Sequence, residues 1–355
     1  MQKYYLKTKG QMSKFKKSMP PYIIAELSTN HKGSFLEASR LIEAAANCGV
    51  NAIKIQTYTA DSMTLNVKNK HFKIRDKNNL WYGYYLYDLY KKGSTPYIWH
   101  KKIFDKAKSL GLDYFSSPFD INAVDFLESL NVKMYKIASF EITDLKLIEK
   151  IASTKKTTFI STGMATKKEI FNAIKIFKKK RNNKYILLKC TSNYPADPSD
   201  SNILTIEDMK KKFKCPVGIS DHTLGIGVPL ASVALGAQVV EKHFKLKSSF
   251  KKKALDDAFS LNPEQMSQLV RESKNVWKSI GKISYGPTNN EKKSLIFRRS
   301  LFAKKDINKG DLFTSDNIGI FRPNIGLQPK EFDKIIGKKS KKSIKKGSPL
   351  FNSHF

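Results

Sequence analysis

From Pro20 and Pro21 onward, short β-rich runs take turns with longer amphipathic segments, and few folds accept that rhythm. The runs are Tyr22–Leu27, Ala52–Gln56, Asp113–Ser117, Lys133–Ser139, Thr157–Thr162, Tyr185–Thr191, Pro216–Asp221 and Gln238–Phe244. Helical patterns separate them at Ser34–Cys48, Tyr97–Leu110, Ala123–Leu130, Leu145–Ser153, Lys167–Lys179, Ile206–Lys212 and Val228–Leu235, and Pro263–Ile280 closes the series. Parallel strands need helical crossovers, and eight βα units in a span near the roughly 250 residues of a single barrel predict an α/β fold, the (β/α)8 barrel.

Two stretches do not follow the rhythm. Residues 57–96 are too long for one connection, so they read as an insertion after strand two. Its LWYGYYLYDLY would sit at the carboxyl-end mouth, either capping a sugar or packing on the rim. At Ser284–Asn290 the sequence turns to SYGPTNN, a boundary. The expected organisation is a basic tail at 1–20, a barrel at 21–283, a linker at 284–293 and a small β-rich domain at 294–355, with strand-like runs at Ser300–Ala303, Ile318–Phe321 and Ser343–Ile344.

Nearly every predicted barrel strand ends in polar residues: Glu26; Lys54 and Gln56; Ser116 and Ser117; Lys136 and Ser139; Ser161 and Thr162; Lys189, Thr191 and Ser192; Ser220, Asp221 and His222; Glu241, Lys242 and His243. Unpaired in a packed interior, such groups cost several kcal/mol each, so their concentration at one rim predicts a large polar site. Residues two apart share a strand face, which pairs Lys54 with Gln56, Ser220 with His222 and Glu241 with His243. On neighbouring strands seven and eight, His222 and His243 can meet and bind one divalent metal. Two imidazoles with carboxylate and water suit Mn²⁺, Fe²⁺ or Zn²⁺, and the lack of a cysteine ligand favours a harder, exchangeable ion. Lys54, Lys136 and Lys189 bring positive charge and the serines bring donors, a combination suited to a small phosphorylated, carboxylated anion.

Composition narrows the class. The chain has 355 residues, 40% of them hydrophobic, enough for a large core, and no apolar run long enough to span a bilayer. Three cysteines, Cys48, Cys190 and Cys215, lie far apart without CxxC spacing, which argues against a disulfide framework and for a reducing, cytoplasmic setting. Lys and Arg total 65 against 31 Asp and Glu, a formal charge of +34. The lysines are spread along the chain with runs at Lys178–Arg181, Lys251–Lys253 and Lys338–Lys346, and no nucleic-acid-binding motif accompanies them, so they read as solvated faces rather than a nucleic-acid stripe.

In order along the chain, AELSTNHKGS, AIKIQTYTAD, YFSSPFD, YKIASFEITD, ISTGMAT, LLKCTSNYP, VGISDHTLG and VEKHF resemble the sialic acid synthase family, which condenses phosphoenolpyruvate with an amino sugar. The likeness runs from about Tyr22 to Phe355, and the FRRSLFAKKDINKGDLFTSDNIGIFRPNIGL stretch resembles the family's small antifreeze-like (SAF) domain. The aromatic insertion with SSPFD and ASFEITDL is in the style of the branch that takes 2,4-diacetamido-2,4,6-trideoxy-L-altrose, with neuraminate- and legionaminate-type precursors as the alternative. The resemblance implies that Lys54, Ser117, Lys136, Ser139, Ser192 and Ser220 hold phosphoenolpyruvate, with Ser161 among the substrate-side hydroxyls. It implies that His222 and His243 ligate a divalent metal (Mn²⁺, Mg²⁺ or Co²⁺), and that Glu26, Gln56, Tyr194, Glu241 and Asp256 line the sugar and catalytic positions. It further implies a domain-swapped homodimer in which Arg322 of one subunit reaches the partner's sugar.

Glu26 and Glu241 both stand as base or charge stabiliser, and Glu26 equally as a buried ion pair with Lys54. The loop SSFKKKALDDAFS lacks the glycines usual in the family, which leaves Asp256 and Asp257 both open; Lys32 in NHKG also departs from the pattern. A sugar-phosphate aldolase or 3-deoxy-keto-acid synthase would share the barrel but would have no use for the terminal domain.

Overall fold

The computed structural model describes residues 11–246 and 253–355, which fall into two compact units dividing between Gly281 and Lys282. In the first, β1 (Tyr22–Glu26), β2 (Ala52–Thr57), β3 (Asp113–Pro118), β4 (Met134–Ile137), β5 (Thr157–Ser161), β6 (Tyr185–Cys190), β7 (Val217–Asp221) and β8 (Val239–His243) form a closed parallel barrel in sequence order. Closure is the β1–β8 pairing, with Ile24 opposite Glu241 and Glu26 opposite His243. Helices begin where caps are available: Ser34, Asp120, Asp144, Thr166 and Asn262 each accept a backbone N–H two or three residues into their helix.

Strand alternation divides the core into two shells. Ile23, Ala25, Ile53, Ile55, Tyr135, Ile137, Ile160, Leu187, Ile219 and Val240 point outward and are buried under the helices. Tyr22, Ile24, Ala52, Phe115, Met134, Phe159, Ile186, Leu188 and Val239 point inward and fill the lower half of the lumen. Gly218 belongs to this inner shell, and a Cβ there would lie 2.4 Å from the Val239 carbonyl oxygen and 2.9 Å from Leu188, so only glycine lets β7 and β8 close.

The segment read as a tail is in part a stopper. Residues Gln11–Phe15 form a 3-10 turn, and Phe15, 2% exposed, lies edge-on to Tyr22 at 5.0 Å and Phe159 at 5.5 Å beneath the lumen. Gln238 Nε2 donates to its carbonyl at 2.5 Å, and Lys14 pairs with Asp113 at 2.5 Å. A single phenylalanine among lysines carries no periodicity, so sequence pattern could not assign it.

The second unit is built around antiparallel β9 (Ser300–Ala303) and β10 (Ile318–Phe321), with Leu301, Ile307, Phe313, Ile318, Ile335, Ile344 and Leu350 as its own core. Ser343–Ile344 makes only an isolated bridge, Ile307 to Ile344, where a strand was expected. Among the described residues no helix is long and apolar enough to cross a membrane.

Candidate functional site

Continuing each inward-facing register by two residues turns the lumen from apolar to polar. Ile24 leads to Glu26, Ala52 to Lys54, Phe115 to Ser117, Met134 to Lys136, Phe159 to Ser161, Leu188 to Cys190, Gly218 to Ser220 and Val239 to Glu241. This ring lies above the apolar floor and is itself almost wholly buried. Glu26 forms an ion pair with Lys54, and its Oε1 accepts the Ser28 N–H at 2.8 Å. Glu241 takes the Lys136 ammonium at 2.6 Å and the Ser220 hydroxyl at 2.8 Å, with Lys54 at 4.0 Å, while Lys54 reaches Ser117 at 3.4 Å. Burial opposes the Glu241 carboxylate, but Lys136 and Lys54 outweigh it and hold it ionised well below the usual carboxylate range. The pairing of Glu26 with Lys54 is therefore present, and Glu241 belongs with the lysines.

Alternation also removes one residue from the group expected at the mouth. Lys189 lies on the opposite face from Leu188 and Cys190, and its ammonium bonds the Cys190 carbonyl at 3.1 Å, so Lys189 is not a lumen cation. Ser116 and Thr162 likewise face outward: Ser116 bonds Thr57 at 2.5 Å, and Thr162 donates to the Leu188 carbonyl at 3.1 Å.

One level higher, Ser139 and Ser192 converge on Gly163. The Gly163 N–H donates to Ser139 Oγ at 3.2 Å, and a Cβ on Gly163 would lie 2.2 Å from Ser192 Oγ. Below them the Ser161 hydroxyl is buried without a protein partner. Cys190 completes this side. Burial pushes its thiol up, but His222 at 3.8 Å, Ser139 and Lys136 bring it down to about 7.

His222 and His243 meet as the spacing predicted, with ring centroids 5.3 Å apart. The Thr191 carbonyl, 2.9 Å from His222 Nδ1, can only accept, so Nδ1 carries a proton and, in the neutral ring, Nε2 is the nitrogen with the lone pair. His243 Nδ1 is buried without a hydrogen bond, 3.5 Å from Asp256 Oδ2. The two imidazoles are nitrogen donors that suit a borderline divalent ion; among the described residues no group of three or more His, Cys, Asp and Glu is placed to hold one, so the remaining ligands would come from water or substrate. Asp257 instead pairs with Lys245 at 3.2 Å, which separates the two aspartates: Asp256 faces His243. Residues 247–252 of that loop lie outside the described residues.

An aromatic wall rises above the histidines. Tyr194 packs on His222 at 4.5 Å and on Trp81 at 5.6 Å, and the Trp81 N–H donates to the Leu255 carbonyl at 3.1 Å. The insertion after β2 thus reaches the site through Trp81. Phe259, on the same wall 4.8 Å from His243, escaped the sequence reading because it stands in no strand register. So did Glu141, just beyond β4, whose Oε2 is buried without a partner; burial pushes its carboxyl up to about 7 against the pull of Lys136. Gln56 is half-buried in register with Ser117, and Arg322 is exposed after β10 in the second unit.

The profile of the NeuB family matches residues 41–285, and that of the SAF domain matches residues 298–355. The chain belongs to the NeuB family. Among curated relatives, pseudaminic acid synthase of Campylobacter jejuni is 42% identical over 97% of this chain and 99% of its own. N,N'-diacetyllegionaminic acid synthase of Legionella pneumophila is 35% identical over 95% of each. Among solved structures, the N-acetylneuraminic acid synthetase of Leptospira borgpetersenii, in complex with citrate, aligns with a TM-score of 0.68 and 31% identity over 78% of this chain and 90% of that one. The NeuB match covers the barrel unit from residue 41 and runs four residues past Gly281, and the SAF match lies within the second unit.

Proposed function

We propose that this NeuB-family chain is a pseudaminic acid synthase, condensing phosphoenolpyruvate with 2,4-diacetamido-2,4,6-trideoxy-L-altrose to give pseudaminic acid and phosphate. The observation that carries the reading is the near full-length 42% identity to the Campylobacter jejuni enzyme, against 35% for the legionaminic relative.

The site's chemistry agrees. Lys54 and Lys136 present two ammonium groups in the polar ring above the lumen floor, and Ser117, Ser139, Ser161, Ser192 and Ser220 add hydroxyls, a set matched to an anion bearing phosphate and carboxylate. When bound on His222 and His243, a divalent ion such as Mn²⁺, Mg²⁺ or Co²⁺ supplies Lewis acidity toward the sugar carbonyl. Condensation joins C3 of phosphoenolpyruvate to the aldehyde carbon and leaves positive charge at C2, where water adds before phosphate departs. Glu26, fixed by Ser28 and Lys54, is the carboxylate set to stabilise that charge. Gln56, Tyr194 and Asp256 line the sugar side, with Tyr194, Trp81 and Phe259 limiting water. Glu141 can hold or release a proton near neutral pH. Arg322 completes the sugar site from the second subunit of a domain-swapped homodimer, and the free thiols suit a cytoplasmic enzyme.

Phosphate release from phosphoenolpyruvate with Mn²⁺, offered altrose-type, legionaminic-type and mannosamine-type acceptors separately with EDTA controls, tests this. Release with the altrose-type sugar alone, abolished by EDTA, is expected. Preference for another acceptor would replace the substrate, and undiminished release in EDTA would remove the metal.

A further inference from the structure

Lys242 is completely buried, yet it sits on the helix-facing side of β8, between lumen-facing Glu241 and His243, and takes no part in the chemistry above. Its ammonium bonds Asp221 Oδ2 and the Thr223 carbonyl oxygen. Asp221 is tied down in turn, accepting the Thr223 N–H at 3.2 Å and the Thr223 hydroxyl at 2.9 Å. A buried ammonium is tolerated only when paired and hydrogen-bonded, and all its named partners lie on one short stretch of β7 and its end.

That stretch brackets His222. Asp221 precedes it and Thr223 follows it, while Lys242 immediately precedes His243. Asp221 and Lys242 are register partners, and the next residue on each strand turns to the other face, into the lumen. Fixing the outward pair therefore fixes the inward one, the two imidazoles at 5.3 Å. A slip of two residues, the smallest that keeps faces matched, would carry the imidazoles about 6–7 Å apart along the strands.

We propose that Lys242 and Asp221 are positioning residues, an ion pair behind the barrel wall that holds His222 and His243 at the separation a divalent cation requires. The inference rests on reading those histidines as the cation's ligands. A purely structural role predicts otherwise, because replacing a buried ion pair jointly by apolar residues of similar size is commonly neutral for stability.

The test is Mn²⁺ affinity of the full chain, read from the electron paramagnetic resonance of free Mn²⁺, alongside thermal unfolding. The double variant Asp221→Leu/Lys242→Met is expected to keep its unfolding midpoint and bind Mn²⁺ about 10-fold or more weakly, the scale seen when groups supporting metal ligands are removed. A folded double variant binding within twofold of the wild type would overturn the proposal. If the double variant fails to fold, Asp221→Asn replaces it: this variant preserves shape but leaves the Lys242 ammonium without its carboxylate, so a lower unfolding midpoint is expected, with Mn²⁺ bound about 10-fold or more weakly below that midpoint, and binding within twofold of the wild type overturns the proposal. A wild-type chain that binds no Mn²⁺ would overturn the ligand reading itself, and this inference with it.

Discussion

Single atoms decide much of this site. At Gly163 a methyl group would overlap the hydroxyls of both Ser192 and Ser139, at 2.2 and 2.7 Å. Gly163→Ala is expected to raise KM for phosphoenolpyruvate about 10-fold or more while the far-ultraviolet circular dichroism stays unchanged; an unaltered KM would remove those two serines from the anion site. Glu141 makes a signed prediction. Its carboxyl goes from an ordinary 4.5 to about 7 on folding, so between those values the native state holds the extra proton. Its contribution to stability therefore declines as pH rises through that window. Glu141→Gln should flatten that part of the stability curve in urea titrations at pH 5 and pH 7, and an identical slope in both proteins would contradict the buried, protonated carboxyl.

At the scale of the element, strands were more legible than connections. Leu145–Ser153 and Lys167–Lys179 form helices with the predicted bounds, and the eight strand runs deviate only at their ends, because apolar periodicity and caps coincide there. In the β7 and β8 motifs, SDHT and EKHF, alternation pairs Ser220 with His222 and Glu241 with His243 as expected, and these four serve the lumen; Asp221 and Lys242, counted with them at the same rim, serve the wall. Lys189 was misplaced for the same reason, since proximity to a strand end does not by itself give a face. Phe259 and Glu141 were missed because they sit in irregular segments, where no period constrains direction. The stopper under the barrel is the clearest case. Phe15→Ala removes a ring from between Tyr22 and Phe159 and is expected to cost about 3–5 kcal/mol in the urea midpoint analysis. A loss under 1 kcal/mol would show that the lumen floor closes without it.

At the scale of the whole molecule, the barrel supplies lysines, serines, carboxylates and histidines, whereas Arg322 belongs to the second unit. If one subunit's arginine serves the other's barrel, co-expressing Arg322→Ala with Lys136→Ala should restore about a quarter of wild-type activity, since a mixed dimer holds one intact site. Activity no greater than that of either variant alone would place the arginine elsewhere. The distribution of charge has its own consequence. The chain as a whole carries +34, but the polar ring of the lumen is balanced, with Lys54 and Lys136 set against Glu26 and Glu241. On the reading proposed above, arrival and retention of an anion belong to separate parts of the protein. There the surface excess would hasten encounter and be screened by salt, whereas the buried quartet, of zero net charge, lies where salt hardly reaches. On the same reading, a ring of zero net charge gives a departing phosphate no deep electrostatic well to climb out of.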